Sequence, residues 1–141
     1  MPKRLLTFVL AALMALPVFA GSAINDSDID VVLRRDGSAD ITEVWDVDVD
    51  SGTEWYLTRN NLCDIEILNL SVSEDGRSFL VEPRWDVNRN IAQKEGRCGL
   101  NSTSYGCEIC WGVGSYGHHL FRVSYTMTNA VKSPDDYDML H

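Results

Sequence analysis

The sequence predicts an all-β domain, and more narrowly an antiparallel β-sandwich with the general architecture of immunoglobulin-like and fibronectin-like domains. Apolar residues recur at every second position in several short segments, which is the period of a strand with one buried face. Turn-forming residues separate these segments, and no window after the N-terminal apolar run keeps the 3.6-residue period of a helix. Six to eight strands joined by such turns favour two packed sheets.

The first two predicted strands form a hairpin. Ile29, Val31 and Leu33 alternate with polar or smaller residues, and the segment 35–38 supplies a turn whose glycine can adopt a positive φ. The segment 41–49 then resumes the alternation. Two alternating runs on either side of a short turn are the signature of a β-hairpin.

Further strands are predicted along the chain, and their alternation of apolar and polar residues is more or less regular. The clearest is 121–127, where apolar and polar residues alternate without a break. The segment 79–81 is expected to pair back onto its predecessor across the turn at 74–76, and Pro83 marks an edge or a break. The remaining expected strands are 54–58, 65–72 and 108–113. The polar, glycine-containing stretch 88–105 is expected to be a long loop.

The N-terminus has the organisation of a secretory signal peptide. Lys3 and Arg4 precede an apolar run at 5–16, and small or tolerated residues at Val18 and Ala20 mark a cleavage site. Cleavage is expected after Ala20, with a second choice three residues later. The run is shorter than the roughly 20 residues that cross a bilayer. The sequence therefore predicts a signal peptide at 1–20 and one exported domain at 24–141.

The charge of the chain excludes nucleic acid as an expected partner. The formal net charge is −9, and the loss of Lys3 and Arg4 with the signal peptide makes it −11. Such a surface repels phosphate backbones. The acidic residues are interspersed among apolar ones, which is typical of the solvated face of a sheet.

The four cysteines predict two disulfides, because an even number in an exported domain is most often paired. Three connectivities are open. Cys98 and Cys110 flank a stretch that resembles a hairpin loop, and closing about 13 residues there stabilises by on the order of 3 kcal/mol. That pairing leaves Cys63 and Cys107 to pair with each other or to stay free.

A thiol redox protein or a zinc protein is the first alternative. Cys107 and Cys110 form a CxxC motif, and His118 and His119 lie close in sequence. Redox motifs of this kind stand at helix N-termini, whereas this one leads into a predicted strand. The two adjacent histidines should point to opposite faces of their strand, so they are poorly placed to bind one ion.

Two further patterns have a structural interpretation. The segment 112–117 matches GxGxxG, but it precedes a strand and not a helix, so a hairpin turn is expected. The carboxylates at 25–30 and at 46–50 lack calcium-loop spacing and are expected to be solvated. No nucleophile elbow and no HExxH occurs. We therefore expect no catalytic, cofactor-binding or metal-binding residues, and a protein that is not an enzyme.

The aromatic residues suggest a glycan-binding module as the second alternative. Trp45 and Trp111 fall in the apolar rhythm of strands and are expected in the core. Trp55, Tyr56 and Trp85 lie near turns or breaks, and they are the expected ligand-contact aromatics.

The order of these segments resembles the N-terminal domain of the bacterial predicted membrane proteins of domain of unknown function 2207, over most of residues 24–141. Residues 98–99 and 110–112 also resemble its Bacteroides-like branch, which favours the Cys98–Cys110 bridge. The residues that match the family are the opening strand, 35–38, 41–43, 111–114, 121–131 and 135–138.

The resemblance implies an extracytoplasmic domain that precedes membrane-spanning segments, and it implies no catalytic residue. We therefore expect a non-catalytic binding or structural module of a membrane-anchored envelope protein. The membrane segment is absent from this chain, which we expect to be a fragment. The expected partner is another envelope protein or another envelope component.

Overall fold

A computed structural model describes residues 21–132 and 139–140 of the chain. The predicted signal peptide at 1–20 and the acidic segment at 135–138 lie outside the described residues. The elements are β1 (Ala23–Leu33), β2 (Ala39–Val49), β3 (Glu54–Asn60), β4 (Ile67–Glu74), β5 (Arg77–Ser78), β6 (Leu80–Glu82), α1 (Ile91–Lys94), β7 (Arg97–Thr103), β8 (Gly106–Gly112), β9 (Gly117–Met127), β10 (Val131–Lys132) and β11 (Met139–Leu140).

Two packed sheets confirm the predicted sandwich. The first sheet has the order β1-β2-β9-β4-β5, and the second has the order β3-β8-β7-β6. β10 and β11 form a separate antiparallel pair. One strand pair departs from the antiparallel arrangement, because β6 pairs with β7 in parallel.

The core fills the space between the two sheets. Phe121 and Val123 of β9 and Val47 of β2 are fully buried on the first sheet, and Ile109 and Trp111 of β8 are fully buried on the second. The Trp111 and Phe121 rings meet edge to face, with centroids 5.5 Å apart. These positions follow the period of two along each strand, so the alternation seen in the sequence correctly identified the buried faces.

The predicted hairpin at the start of the domain is confirmed. β1 and β2 pair antiparallel from Ala23 to Leu33, with one bulge between Ile24 and Asp26. In the turn, the carboxylate of Asp36 accepts hydrogen bonds from the backbone N–H (3.0 Å) and the hydroxyl (2.6 Å) of Ser38. Gly37 has a φ of 82°, which the turn requires.

The prediction of a long loop over 88–105 is wrong, because α1 and β7 lie there. Polar and small residues occupy β7 because only one of its faces contributes to the core. Cys98 is buried on that face, whereas Asn101 donates a hydrogen bond to Glu108 of β8 (2.8 Å). Gly99 faces the other side, where a Cβ atom would lie 3.2 Å from the carbonyl oxygen of Glu82 and 3.6 Å from the Cβ of Trp85, so only a small residue fits without adjustment. The polar composition of this segment is therefore compatible with a strand, and it misled the prediction of a loop.

The segment 79–81 was predicted to pair back onto the preceding strand, and it does so only in part. Arg77–Ser78 pairs with β4, and the N–H of Phe79 still donates to the carbonyl of Val72 (2.8 Å). Leu80–Glu82 then leaves the first sheet and joins the second. Burial of the Phe79 ring against Phe121 explains this crossing, since the chain passes over the edge of the core there.

The glycine-rich segment 112–117 is a corner between sheets, so the predicted hairpin turn is wrong. β8 belongs to the second sheet and β9 to the first. Gly114 and Gly117 have positive φ values of 70° and 120°. Gly112 is required for a different reason: a Cβ atom there would lie 2.0 Å from the carbonyl oxygen of Lys94. The glycine lets α1 rest directly on the end of β8.

We expect Gly112→Ala to lower the free energy of unfolding by about 2–3 kcal/mol, because the added methyl group overlaps the backbone of Lys94. Urea denaturation followed by tryptophan fluorescence measures the change. Gly21→Ala is the matched control, since nothing lies within 4 Å of its Cβ position. Equal stability of the two variants would contradict this account of Gly112.

Candidate functional site

An open groove of about 580 Å³ lies on one side of the sandwich, between the edge strands β1 and β3. We call it the edge groove. Its walls are mainly apolar, with Ile24 and Ile29 from β1, Trp45 from β2, and Trp55 and Leu57 from β3. The groove exists because β1 extends the first sheet at this side, and its apolar side chains there stay exposed.

A buried ion pair forms the floor of the edge groove. Glu43 of β2 is 1% exposed, and one of its oxygens accepts from the guanidinium of Arg59 on β3 and from the hydroxyl of Tyr125 (2.5 Å). Arg59 also donates two hydrogen bonds to Tyr125, of 2.9 and 2.7 Å. The second oxygen of Glu43 accepts from the indole N–H of Trp45 (3.1 Å). The network ties the second sheet to the first.

The electrostatics of this floor raise the pKa values of both Tyr125 and Arg59. Burial raises the pKa of the Tyr125 phenol well above its usual range, and its hydrogen bond to Glu43 raises it further. Burial alone lowers the pKa of Arg59, but hydrogen bonding to Tyr125 and the nearby charge of Glu43 outweigh it and raise the pKa above the usual value. Tyr125 therefore stays neutral and Arg59 stays charged at neutral pH.

The sequence reasoning missed Glu43, Arg59 and Tyr125 as a unit. A signal was present, because Glu43 interrupts the apolar rhythm of β2 at a core-facing position. A carboxylate at such a position requires a buried partner. The partner on β3 lies 16 residues away and in the other sheet, so sequence spacing alone does not reveal it.

The three predicted ligand-contact aromatics have different surroundings. Trp55 and Tyr56 both line the edge groove, and Tyr56 is exposed. The expectation of exposure is wrong for Trp85, which is 3% exposed. Its indole N–H donates to Glu54, and its backbone N–H donates to Leu100 (3.1 Å). Trp85 is therefore mainly a packing residue, although its remaining exposed edge borders a small depression.

Trp85 is buried because the segment from Pro83 to Lys94 folds over the outer face of the second sheet. Lys94 is 1% exposed, and its ammonium group lies 2.9 Å from Glu54 and 2.8 Å from both the hydroxyl of Thr53 and the carbonyl of Val87. All three N–H donors of the ammonium thus have acceptors. The segment thus covers much of this face, and it leaves a smaller depression of about 320 Å³ beside Trp85.

All four cysteines are unbonded in the structure. Cys98 lies opposite Trp111, and Cys110 lies opposite Gly99, so the side chains of Cys98 and Cys110 point to opposite faces of the second sheet. This register does not support the Cys98–Cys110 bridge. The Cys63–Cys107 pairing stays a prediction, with Cys63 exposed beyond the end of β3 and Cys107 half-buried on β8.

The geometry of the CxxC segment does not support the redox or zinc alternative. Cys107 and Cys110 are three residues apart on β8, so their side chains also lie on opposite faces. Burial raises the pKa of Cys110 to about 12, and it raises the pKa of Cys107. Redox-active cysteines need a lowered pKa. Within the described residues no cluster of three or more metal-ligating side chains occurs.

The two adjacent histidines point to opposite faces of β9, as predicted. His118 lies 2.9 Å from a carboxylate oxygen of Asp46 on the outer face of the first sheet. His119 is buried, stacks on the ring of Phe121 and lies 2.5 Å from Glu74. Each histidine therefore has its own carboxylate partner.

The carboxylates of β1 and β2 lie mostly on the solvated outer face of the first sheet. Asp26, Asp28 and Asp30 are exposed there. Asn25 bridges Asp46 and Asp48 through hydrogen bonds of 3.0 and 2.9 Å. The outer face of this edge is therefore strongly acidic, while its inner face is apolar.

Comparison with known families identifies one match. A family model described as the N-terminal domain of predicted membrane proteins (DUF2207) matches residues 23–141. No curated protein and no solved structure matches the chain. Within residues 21–132 and 139–140, the structure contains no helix that is long and apolar enough to cross a membrane.

We expect Arg59→Met to lower the free energy of unfolding by about 3 kcal/mol, because it leaves the buried carboxylate of Glu43 without its cation. Urea denaturation measures the loss. The double variant Glu43→Met with Arg59→Met should be more stable than the Arg59→Met variant, since no buried charge remains unpaired. Additive losses from the two substitutions would show that the groups are not coupled.

We expect native-state alkylation with iodoacetamide to modify Cys63 first, because it is exposed. Cys98 and Cys110 should react only in denaturant, since both are buried and burial raises their pKa values to about 11 and about 12. Intact-mass analysis counts the modified thiols, and a reduced sample is the control. If the unreduced protein takes up no label even in denaturant, the cysteines are paired in two disulfides.

Proposed function

This chain belongs to the DUF2207 family of predicted membrane proteins, of which it contains the N-terminal domain, and we propose that this domain is a non-catalytic binding module that holds a partner protein in the edge groove. The main support is the groove itself, an apolar depression of about 580 Å³ between two edge strands. Binding sites are typically concave and apolar, with a few polar groups in fixed positions.

The chemistry of the groove floor favours binding over catalysis. Glu43, Arg59 and Tyr125 use their hydrogen-bonding groups on one another. A general base needs a free acceptor near the operating pH, and a nucleophile needs an adjacent base. The carboxylate of Glu43 is engaged at both oxygens, and the raised pKa of Tyr125 keeps its proton in place. The floor is thus a rigid support for bound side chains.

We place this module outside the cytoplasm, on a membrane-anchored envelope protein. Two observations support this placement. The N-terminal segment has the n-region, apolar run and cleavage site of a secretory signal. The family is one of predicted membrane proteins. The partner would then be another protein of the envelope.

A glycan is the second candidate for the occupant of the groove, because Trp55 and Tyr56 line it. Aromatic faces stack on sugar rings, but sugar hydroxyls also need free hydrogen-bonding groups in the site. The aliphatic side chains of Ile24, Ile29 and Leu57 offer none, and the polar groups of the floor already have partners. The lining therefore favours apolar side chains of a protein.

Photo-crosslinking in cells that produce the protein tests the proposal. A benzophenone amino acid at Ile29, on the wall of the groove, should form adducts with a protein partner. The same amino acid at Leu80 is the matched control, because Leu80 is equally exposed but lies on β6, at the opposite side of the sandwich. Gel shifts and peptide mass spectrometry identify the adducts.

Each outcome of the crosslinking decides between the candidates. Adducts of one protein at Ile29 and none at Leu80 would support a protein-binding groove. Adducts at Ile29 that contain glycan and no peptide would replace the protein by a glycan. An adduct yield at Ile29 no higher than at Leu80 would refute a binding role for the edge groove.

A further inference from the structure

The strand β1 has a complete free edge. It is eleven residues long, every residue is exposed, and within the part of the chain that the structure describes it pairs with β2 alone. From Asp26 to Leu33 its register with β2 is regular. An edge of this kind presents a row of backbone N–H and C=O groups that another extended chain can pair with.

The inner face of β1 is apolar, and the residues that the structure describes leave it largely uncovered. Ile29, Val31 and Leu33 lie opposite Glu43, Ile41 and Ala39 of β2, so they point to the core side of the first sheet. They are nevertheless 54%, 45% and 53% exposed. Ile29 lines the edge groove, and Val31 and Leu33 follow it on the same face of the strand.

The outer face of β1 is acidic at the alternating positions. Asp26, Asp28 and Asp30 lie opposite Asp46, Val44 and Thr42 of β2. These side chains therefore form a ladder of carboxylates on the solvated side of the same strand. The strand β1 therefore has apolar side chains on its inner face and carboxylates on its outer face.

We propose that β1 binds an extended segment of the partner, in which apolar and basic residues alternate, by β-strand addition to its free edge. This inference rests on the proposed function and names the chemistry of the ligand. The apolar residues of the segment pack against Ile29 and Val31 beside the edge groove. The lysine or arginine residues pair across the strands with Asp28 and its neighbours. Period-two alternation on the partner then matches the period of β1.

The acidic ladder also disfavours a second copy of this chain. In an antiparallel pair of two β1 strands centred on Asp28, Asp28 faces Asp28 and Asp26 faces Asp30. Like charges placed directly opposite each other destabilise a strand pair, and the net charge of −9 adds repulsion between copies. Charges on an edge strand commonly prevent such self-association. The charge complementarity therefore selects a basic partner.

Calorimetric titration of the purified chain with a synthetic nonapeptide of alternating lysine and valine tests the inference. We expect binding that weakens as salt is added, because the ion pairs are at the surface. A peptide with the same composition but with its lysines and valines in two blocks should bind much more weakly, since it cannot place one residue type on each face.

Two further probes isolate the edge and the carboxylate ladder. N-methylation of alternate backbone amides removes the N–H groups that face β1 and should abolish binding in one of the two possible frames. The triple variant Asp26→Asn, Asp28→Asn and Asp30→Asn should lower the affinity about tenfold. The control triple variant Glu66→Gln, Asp75→Asn and Asp86→Asn makes the same change in net charge at exposed loop positions away from β1, and it should leave the affinity unchanged.

The inference fails if the block peptide or both N-methylated peptides bind as well as the alternating one, since charge attraction alone would then explain binding. It also fails if the two triple variants weaken binding equally. If no lysine–valine peptide binds but crosslinks at Ile29 persist, strand addition is wrong and the groove remains a binding site. If the crosslinks at Ile29 are also absent, the proposed function itself is wrong.

Discussion

The ion pair between Glu43 on β2 and Arg59 on β3 connects the two sheets. Among the described residues, Glu43 is the only buried acid. Burying a carboxylate is costly unless a cation and hydrogen bonds compensate, and here Arg59, Tyr125 and Trp45 supply them. The position of β3 relative to β2 is therefore set by a directional interaction and not by apolar packing alone. Glu43 and Arg59 both line the edge groove, so the same interaction also forms part of its floor.

The segment from Pro83 to Lys94 covers the outer face of the second sheet and contacts the start of β3. Gly112 lets α1 rest on β8, and Lys94 then reaches Thr53 and Glu54 at the start of β3. These bonds hold the segment that buries Trp85. The residues that close this face are thus also anchored to the strand that borders the groove. The bonds of Lys94 on the outer face of the second sheet therefore also help to fix the position of β3 at the edge groove.

The edge strand β1 carries an apolar face and an acidic face, both exposed. An exposed apolar edge favours aggregation, and charged residues on the same strand oppose it. Here the two are separated by the alternation of the strand, with Ile29 and Val31 on one face and Asp28 and Asp30 on the other. Like charges on this face disfavour pairing with an identical strand, whereas they do not oppose pairing with a strand of complementary charge. This selectivity needs no enclosed pocket.

The pattern of residues close together in the sequence was sufficient to predict much of the fold. Strict alternation, as in β2 and β9, identified the buried faces, and the residues Asp36 and Gly37 identified the first turn, because these features depend on near neighbours in the chain. The family resemblance was also present in such local segments, and the family match over residues 23–141 confirms it. The strand β7 was missed because its own residues do not reveal their partners. Asn101 bonds Glu108 on β8, and the segment from Pro83 to Lys94 covers the outer face of the strand.

What the sequence by itself determined is therefore the class of the fold, the position of most strands and the acidic character of the chain. Only the tertiary structure decided which apolar residues stay uncovered, since Ile29 on β1 and Val47 on β2 have the same rhythm and opposite exposure. It also decided the partner of Glu43, the burial of Trp85 and the opposite faces of Cys98 and Cys110. Each of these depends on the order of strands in two sheets, and an alternating pattern within one strand contains no information about its neighbours.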